Sequence, residues 1–266
     1  MGLRIGCQTY GWYAYAHEHA SEFSYKLLLA EIAKTGFVGV DMSGGFYDHM
    51  PAAKACRAEC DALGVELVCF STGVDNLDRA REMIAYLRAN HGTALMVGGG
   101  HVPEGEDPEA VWKQLIADAN AVAGISRELD FPIGFHNHLW TLTETPEGIE
   151  RFMAETDLAW CPDIGHMASG GANPQEFLDR YGDRAVHCHL KDSVVDAQGK
   201  HVRFCELGKG NSGVDIDECL KILQRKGFSG WATVEQDQTT LTPYADQKYN
   251  HDYLEGLGYA WALQGK

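Results

Sequence analysis

Three short stretches in the second half of the chain carry an acid, an imidazole and an acid: LAWCPDIGH holds Asp163, AVHCHLKD holds His189, and WATVEQD holds Glu235. Side chains alternate along a strand, so three such residues at strand ends can face one site while neighbours such as Cys188 face away. One Asp, one His and one Glu make a mixed oxygen and nitrogen shell. Such a shell suits Mn²⁺, Co²⁺, Fe²⁺ or Zn²⁺, with Mg²⁺ also admissible, and suits Ca²⁺ poorly because of the imidazole. Each residue alone has an ordinary structural explanation, such as an Asp capping the next helix. Three on successive strands point to a metal site. The stretch FHNHLW puts His136 and His138 on one face with Asn137 opposed, so both imidazoles can enter the same site. Glu144, in the loop TLTETPEG, can reach back as a further metal ligand, or simply begin the next helix with Thr143 or Thr145 as its cap.

Other polar residues fall where strands end: Gln8 and Tyr10, Asp41, His166, Lys191 and Asp237. A base and an acid are needed to move protons on a carbonyl substrate, and His138, Lys191 and Glu235 are the candidates for those roles. His136, His166, Gln8, Tyr10 and Asp237 are expected to bind substrate. Two glycine-rich stretches do not fit nucleotide sites. GKGNSG, 208 to 213, lacks the Walker spacing, and VGGG, 97 to 100, lacks the dinucleotide fingerprint. Cys56 and Cys60 stand four apart on an expected helix, with no matching Cys or His pair nearby, and read as two buried thiols.

Positioning such residues requires strands whose ends converge. Short apolar segments rich in β-branched residues alternate with segments of helical period, the pattern of repeated βα units. The expected strands are Arg4 to Tyr10, Phe37 to Ser43, Val65 to Ser71, Ala94 to Gly99, Ile133 to His138, Leu158 to Gly165, Ala185 to Lys191 and Trp231 to Asp237. A helix from Tyr25 to Gly36 would turn Leu27, Leu28, Ile32 and Ala33 to the strands, and another is expected over Pro108 to Leu129. The longest irregular segment, Ser193 to Asp215, is expected near the site. An open doubly wound sheet would spread the polar strand ends along a line, whereas a (β/α)₈ TIM barrel gathers them on one face. The reading is therefore a single α/β barrel domain over residues 1–266, a length ordinary for that fold.

Composition bounds the partners. A formal net charge of -16 opposes binding to nucleic acid, whose affinity rests on Lys and Arg against phosphates, and a nuclease reading loses ground accordingly. No apolar run is long enough to span a bilayer, and no signal peptide is visible. The 8 Cys form no disulfide framework. These features lead us to expect a cytoplasmic enzyme acting on a small molecule, and leave assembly into a homo-oligomer open.

At DIGH, HLKD and VEQD, at HNH, and at LGKGNSGVDID after the seventh strand, the sequence resembles the xylose-isomerase-like superfamily of sugar isomerases, epimerases and dehydratases, and within it the inosose dehydratases. The resemblance runs over almost the whole chain. It implies that Asp163, His189 and Glu235 bind a divalent metal, commonly Mn²⁺ or Co²⁺, with Glu144 or a strand-five His as the fourth ligand. Epimerases of the superfamily place a Glu at the end of strand five, paired with the last-strand Glu, and here His136 stands at or near that position. The implied activity is a carbon–oxygen lyase that dehydrates a keto-polyol such as a keto-inositol. The alternative is a keto-sugar isomerase or epimerase working through a metal-stabilised enediolate.

Overall fold

The computed structural model describes residues 2–18, 24–239 and 241–259. Its strands are β1 (Arg4–Gln8), β2 (Gly39–Met42), β3 (Glu66–Gly73), β4 (Ala94–Gly98), β5 (Ile133–His136), β6 (Ala159–Cys161), β7 (Cys188–Leu190), β8 (Asp192–Val195), β9 (His201–Cys205) and β10 (Trp231–Val234). Eight of them form one parallel sheet in the order β6-β5-β4-β3-β2-β1-β10-β7. The two edges meet through isolated parallel bridges, Trp160 to Ala185 and Asp163 to His189, which close the barrel. The remaining pair, β8 and β9, is an antiparallel hairpin standing off the end of β7.

Helices pack around the strands as the apolar periodicity requires. The helix Pro108–Leu129 has Asp107 as its N-cap and Pro at its start, and it buries Trp112, Leu115, Ala119 and Val122. The helix Tyr25–Thr35 ends at Gly36, whose φ of 102 lies in the left-handed region that favours glycine. Its buried stripe is Leu28, Leu29, Ile32 and Thr35. Leu27, expected in that stripe, is instead 58% exposed, because one residue's rotation of about 100° carries it off the 28, 32, 35 line.

Inside the barrel, Val68, Cys69, Ala94, Met96, Cys161 and Trp231 form a small apolar floor. Gly39 makes room for it, since a Cβ there would run into the Trp231 ring. Opposite Asp41 the β2–β3 register steps by one residue, leaving Val68 as the extra residue of a bulge. All eight cysteines are buried and free, Cys56 and Cys60 among them. No helix among the described residues is long and apolar enough to cross a membrane.

Several expected strands run on too far. Asp163 is already the N-cap of a helix, Ile164–Ser169, so His166 is helical rather than on a strand. Tyr10 likewise opens the helix Tyr10–Glu18. The segment from Ser193 to Asp215, expected to be irregular, contains the β8–β9 hairpin, turned at Gly199 with a φ of 80.

Candidate functional site

At the C-terminal mouth of the barrel, His136, Asp163, His189 and Glu235 are all buried, and their potential ligand atoms all lie within 4.8 Å of one another. Local hydrogen bonds set each one. Asp163 uses Oδ1 to accept the His166 backbone N–H at 2.8 Å, which leaves Oδ2 facing the group. Asn137, on the outer face of its strand end, accepts from the Asp163 N–H and from Trp160 Nε1, both at 3.1 Å, and donates to the Asp163 carbonyl at 3.1 Å. This clamp fixes the end of β6 against the end of β5. His189 is held from behind: its Nε2 donates to Asp41 Oδ2 at 2.9 Å, which turns Nδ1 toward Glu235 Oε2 at 2.8 Å and Asp163 Oδ2 at 3.8 Å. The same Asp41 oxygen accepts from His187 Nε2 at 2.9 Å and from Thr233 Oγ1 at 3.0 Å.

Within the group the carboxylates, imidazoles and ammonium set one another's charge. Burial raises the pKa of the Asp41 carboxyl, but His187 and His189 overcome that and hold it well below the usual range. Burial also works against a charge on His189, yet Glu235, Asp163 and Asp41 lift its pKa well above the ordinary value. Glu235 is held low against burial by Lys191 and His189. His136 is brought down to about 3 by burial and by neighbouring His189, so it is neutral and able to ligate. Two buried atoms of the group, His136 Nδ1 and Asp163 Oδ2, have no hydrogen-bond partner. Buried polar atoms are seldom left so. A divalent ion shared by two carboxylates and two imidazoles would give Asp163 Oδ2 a partner, and the donor set fits Zn²⁺, Mn²⁺, Fe²⁺ or Co²⁺ chemistry.

Lys191 adjoins this group. Its Nζ lies 2.8 Å from Glu235 Oε2, 3.0 Å from Asp237 Oδ1, 3.4 Å from Asp163 Oδ2 and 3.0 Å from His166 Nε2, with the Phe204 ring 4.5 Å away. Burial disfavours the ammonium, but Asp163, Asp237 and Glu235 hold its pKa far above the usual value. His138 stacks on His166 with ring centroids 3.8 Å apart. Its Nδ1 stands 2.7 Å from the Leu139 carbonyl oxygen, which can only accept, so in the neutral imidazole the proton sits on Nδ1 and the lone pair on Nε2. Above these groups opens a cleft of about 740 Å³ lined by Gln8, Tyr10, His136, His138, Glu235 and Asp237 among others. The hairpin roofs one side through Phe204. Asp192 secures the glycine-rich loop behind it by accepting the Gly208 and Gly210 N–H groups at 2.9 and 3.0 Å.

Of the residues singled out from sequence, the structure therefore gathers Asp163, His189, Glu235, His136, His138, His166, Lys191, Asp237, Gln8 and Tyr10 around one mouth. Glu144 is the exception. Expected among the metal ligands, it instead directs Oε2 to the Trp140 backbone N–H at 2.5 Å and lines a separate cavity, and His136 completes the group of four. Asp41 was noted at a strand end and Asn137 opposite the histidine pair, both without a role, and His187 and Phe204 escape a reading of strand ends. His187 shares the inward parity of His189, a signal that was present, whereas Asp41 reaches the His189 ring across the barrel from β2, with β1 and β10 between them. Asn137 faces outward and Phe204 sits on an unforeseen hairpin.

Comparison with known proteins agrees with this architecture. The chain is 27% identical over 268 residues to an inosose dehydratase of Geobacillus kaustophilus, covering 86% of each protein. Among solved structures it resembles the probable 3-DHS dehydratase AsbF of Bacillus anthracis, with a TM-score of 0.75 at 14% identity over 95% of this chain and 98% of that one. It also resembles the IolI protein determined with a binding zinc atom, with a TM-score of 0.73 at 14% identity over 97% and 98% of the two chains. At those identities the structural matches speak for the fold. The model of the xylose isomerase-like TIM barrel family matches residues 29–257, and the chain belongs to that family.

Proposed function

We propose that this protein is a metal-dependent carbon–oxygen lyase that removes water from a keto-polyol, a keto-inositol being the leading candidate. His136, Asp163, His189 and Glu235 would hold the ion. The observation that carries the reading is that an imidazole, His136, and not a carboxylate, stands at the end of β5 in the ligand group. With Glu144 engaged by Trp140, none of the described residues supplies a carboxylate at the end of β5 to pair with Glu235 as in a reversible epimerase. The dehydratase names carried by relatives of similar length support the same choice.

A bound divalent ion supplies Lewis-acid stabilisation of the negative charge that develops on the substrate's carbonyl oxygen. The chain's own residues supply the proton transfers. His138, its tautomer set by the Leu139 carbonyl, offers Nε2 as the base for the proton on the carbon next to the carbonyl. Lys191 remains an ammonium and donates a hydrogen bond to the departing hydroxyl. Asp237, 3.0 Å from Lys191 Nζ, has its carboxyl pushed up to about 6 by burial against the pull of Lys191, and it provides the acid that completes the water. Gln8 and Tyr10 line the opposite wall and bind hydroxyls.

The test is metal analysis of the purified protein, followed by incubation with keto-inositols and ketohexoses in D₂O and detection by mass. Loss of one water from a keto-inositol, with ultraviolet absorbance from the unsaturated ketone, is the expected result. Deuterium at the reacting carbon of an intact ketose, with no dehydrated product from any substrate, would establish an isomerase or epimerase instead.

A further inference from the structure

Trp140 is placed against both packing and backbone preference. Its side chain is 62% exposed, whereas Trp112, Trp160 and Trp231 are buried. Its φ is 63, in the left-handed region that bulky residues rarely enter and that glycine or asparagine would occupy without strain. Nothing is gained in the core by such an arrangement, and strained residues of this kind cluster at functional sites.

Two hydrogen bonds hold the backbone there. The Trp140 N–H donates to Glu144 Oε2 at 2.5 Å, and the Trp140 carbonyl accepts from His101 Nδ1 at 3.3 Å. The Glu144 end is anchored in turn, since its backbone N–H donates to the Thr141 carbonyl at 3.1 Å and its own carbonyl lies so close to Gly170 that a Cβ there would collide with it. The indole stands at the rim of the cleft, 5.9 Å from the His138 ring and 6.0 Å from the His201 ring, and it divides the cleft from the smaller cavity that Glu144 lines.

The floor of the cleft is polar and charged, and Tyr10, Trp140 and Phe204 are aromatic surfaces on its walls. A cyclic polyol has matching anisotropy, with hydroxyls around its edge and C–H bonds on its faces. An open-chain polyol with the same number of carbons and hydroxyls presents no flat C–H face. We propose that Trp140 is the stacking platform for the ring face of a cyclic polyol, and that Glu144 is a positioning residue that fixes Trp140 in its left-handed conformation. The choice of ligand class rests on the function proposed above; the platform itself rests on geometry.

The test measures binding of an unreactive cyclic polyol, myo-inositol, and of its acyclic counterpart sorbitol by calorimetry on the metal-loaded protein, with metal content determined for every variant. The wild type should bind myo-inositol more tightly than sorbitol, with a change in indole fluorescence that Trp140→Phe abolishes. Trp140→Ala should weaken myo-inositol binding by about tenfold while leaving sorbitol unchanged, and Trp140→Phe should stay within about twofold of wild type. Glu144→Ala should weaken myo-inositol binding by about threefold at unchanged metal content, and Glu144→Gln, which keeps an oxygen acceptor for the Trp140 N–H, should restore it. With keto-inositol, Trp140→Ala should raise KM and leave kcat nearly unchanged. A wild type that binds neither polyol or binds sorbitol equally well, a Trp140→Ala variant that loses both alike or neither, a Glu144→Gln variant no better than Glu144→Ala, or loss of metal in Glu144→Ala each overturns the proposal. If the binding pattern holds while keto-inositol is not dehydrated, the platform stands and the lyase reading falls.

Discussion

Asp41 lies one layer beneath the ligand group, and replacing it with Asn should weaken metal binding without removing any ligand. In the native protein its Oδ2 accepts the His189 Nε2–H at 2.9 Å, which presents Nδ1 to the ion. Carboxylate partners of ligating histidines typically contribute 10- to 100-fold in metal affinity, roughly 1.4 to 2.7 kcal/mol. Hydrogen-bond energetics give a similar figure: exchanging a charged acceptor for a neutral one costs about 1 to 1.5 kcal/mol per bond, and only the His189 bond reports to the metal. The expected loss is therefore about tenfold in affinity. Folding stability should fall separately, by about 2 to 4 kcal/mol, because the His187 bond weakens as well and an amide NH₂ at the unpartnered Oδ1 position gains no acceptor. Competition against a chromogenic chelator, performed on protein shown to be folded by circular dichroism, separates the two effects. Thr233→Val is the control, since the Thr233 hydroxyl donates to the same oxygen without bonding to the His189 ring; its metal affinity should remain within about threefold of wild type. An Asp41→Asn variant that binds metal as tightly as wild type, or a Thr233→Val variant that loses as much, would refute the reasoning.

His138→Ala should lower turnover by about 10²- to 10⁴-fold while leaving metal content unchanged, as measured by steady-state kinetics beside elemental analysis. Gly39→Ala should destabilise the barrel by about 1 to 3 kcal/mol, because its Cβ meets the Trp231 ring, and a lowered Tm without any change in metal affinity is the expected signature. Asp192→Ala leaves the Gly208 and Gly210 N–H groups without their carboxylate acceptor. It should make the 206–212 loop more open to protease while the barrel's far-ultraviolet spectrum is retained. Stripping the ion with a chelator should lower Tm, with re-addition of Mn²⁺, Co²⁺ or Zn²⁺ restoring it, whereas an unchanged Tm would count against occupancy of the four-residue group.

The fold was legible because βα periodicity and polar strand ends point the same way, and the helix Pro108–Leu129 is bounded by Asp107 and a proline as the pattern requires. Strand lengths were not. A strand-end Asp is allowed a helix-capping role, which Asp163 takes, yet both expected strands are carried past the ladder into the helices that Asp163 caps and Tyr10 opens. From sequence, Glu144 is allowed either to reach the metal or to begin the next helix, because proximity in sequence says nothing of which way a loop turns; Thr145 caps that helix and Glu144 holds the Trp140 N–H. The hairpin was overlooked although Asp196, Gly199 and the flanking β-branched residues carry a turn signal, since the length of the segment drew attention to its irregularity.

Around the barrel, adjacent strands are joined by ladders everywhere except between β6 and β7, where two isolated bridges complete the ring. Asp163 and His189 form one of those bridges, and they are also two of the four candidate ligands. An ion held between them would act as a clasp across the weakest joint of the cylinder, tying together parts of the chain that the sheet itself barely connects. Occupancy and mechanical integrity would then be the same event. In hydrogen exchange, the Val186 and His189 amides, which donate across this seam to Trp160 and Pro162, should open first when the ion is withdrawn, while those of the β3–β4 ladder remain shut.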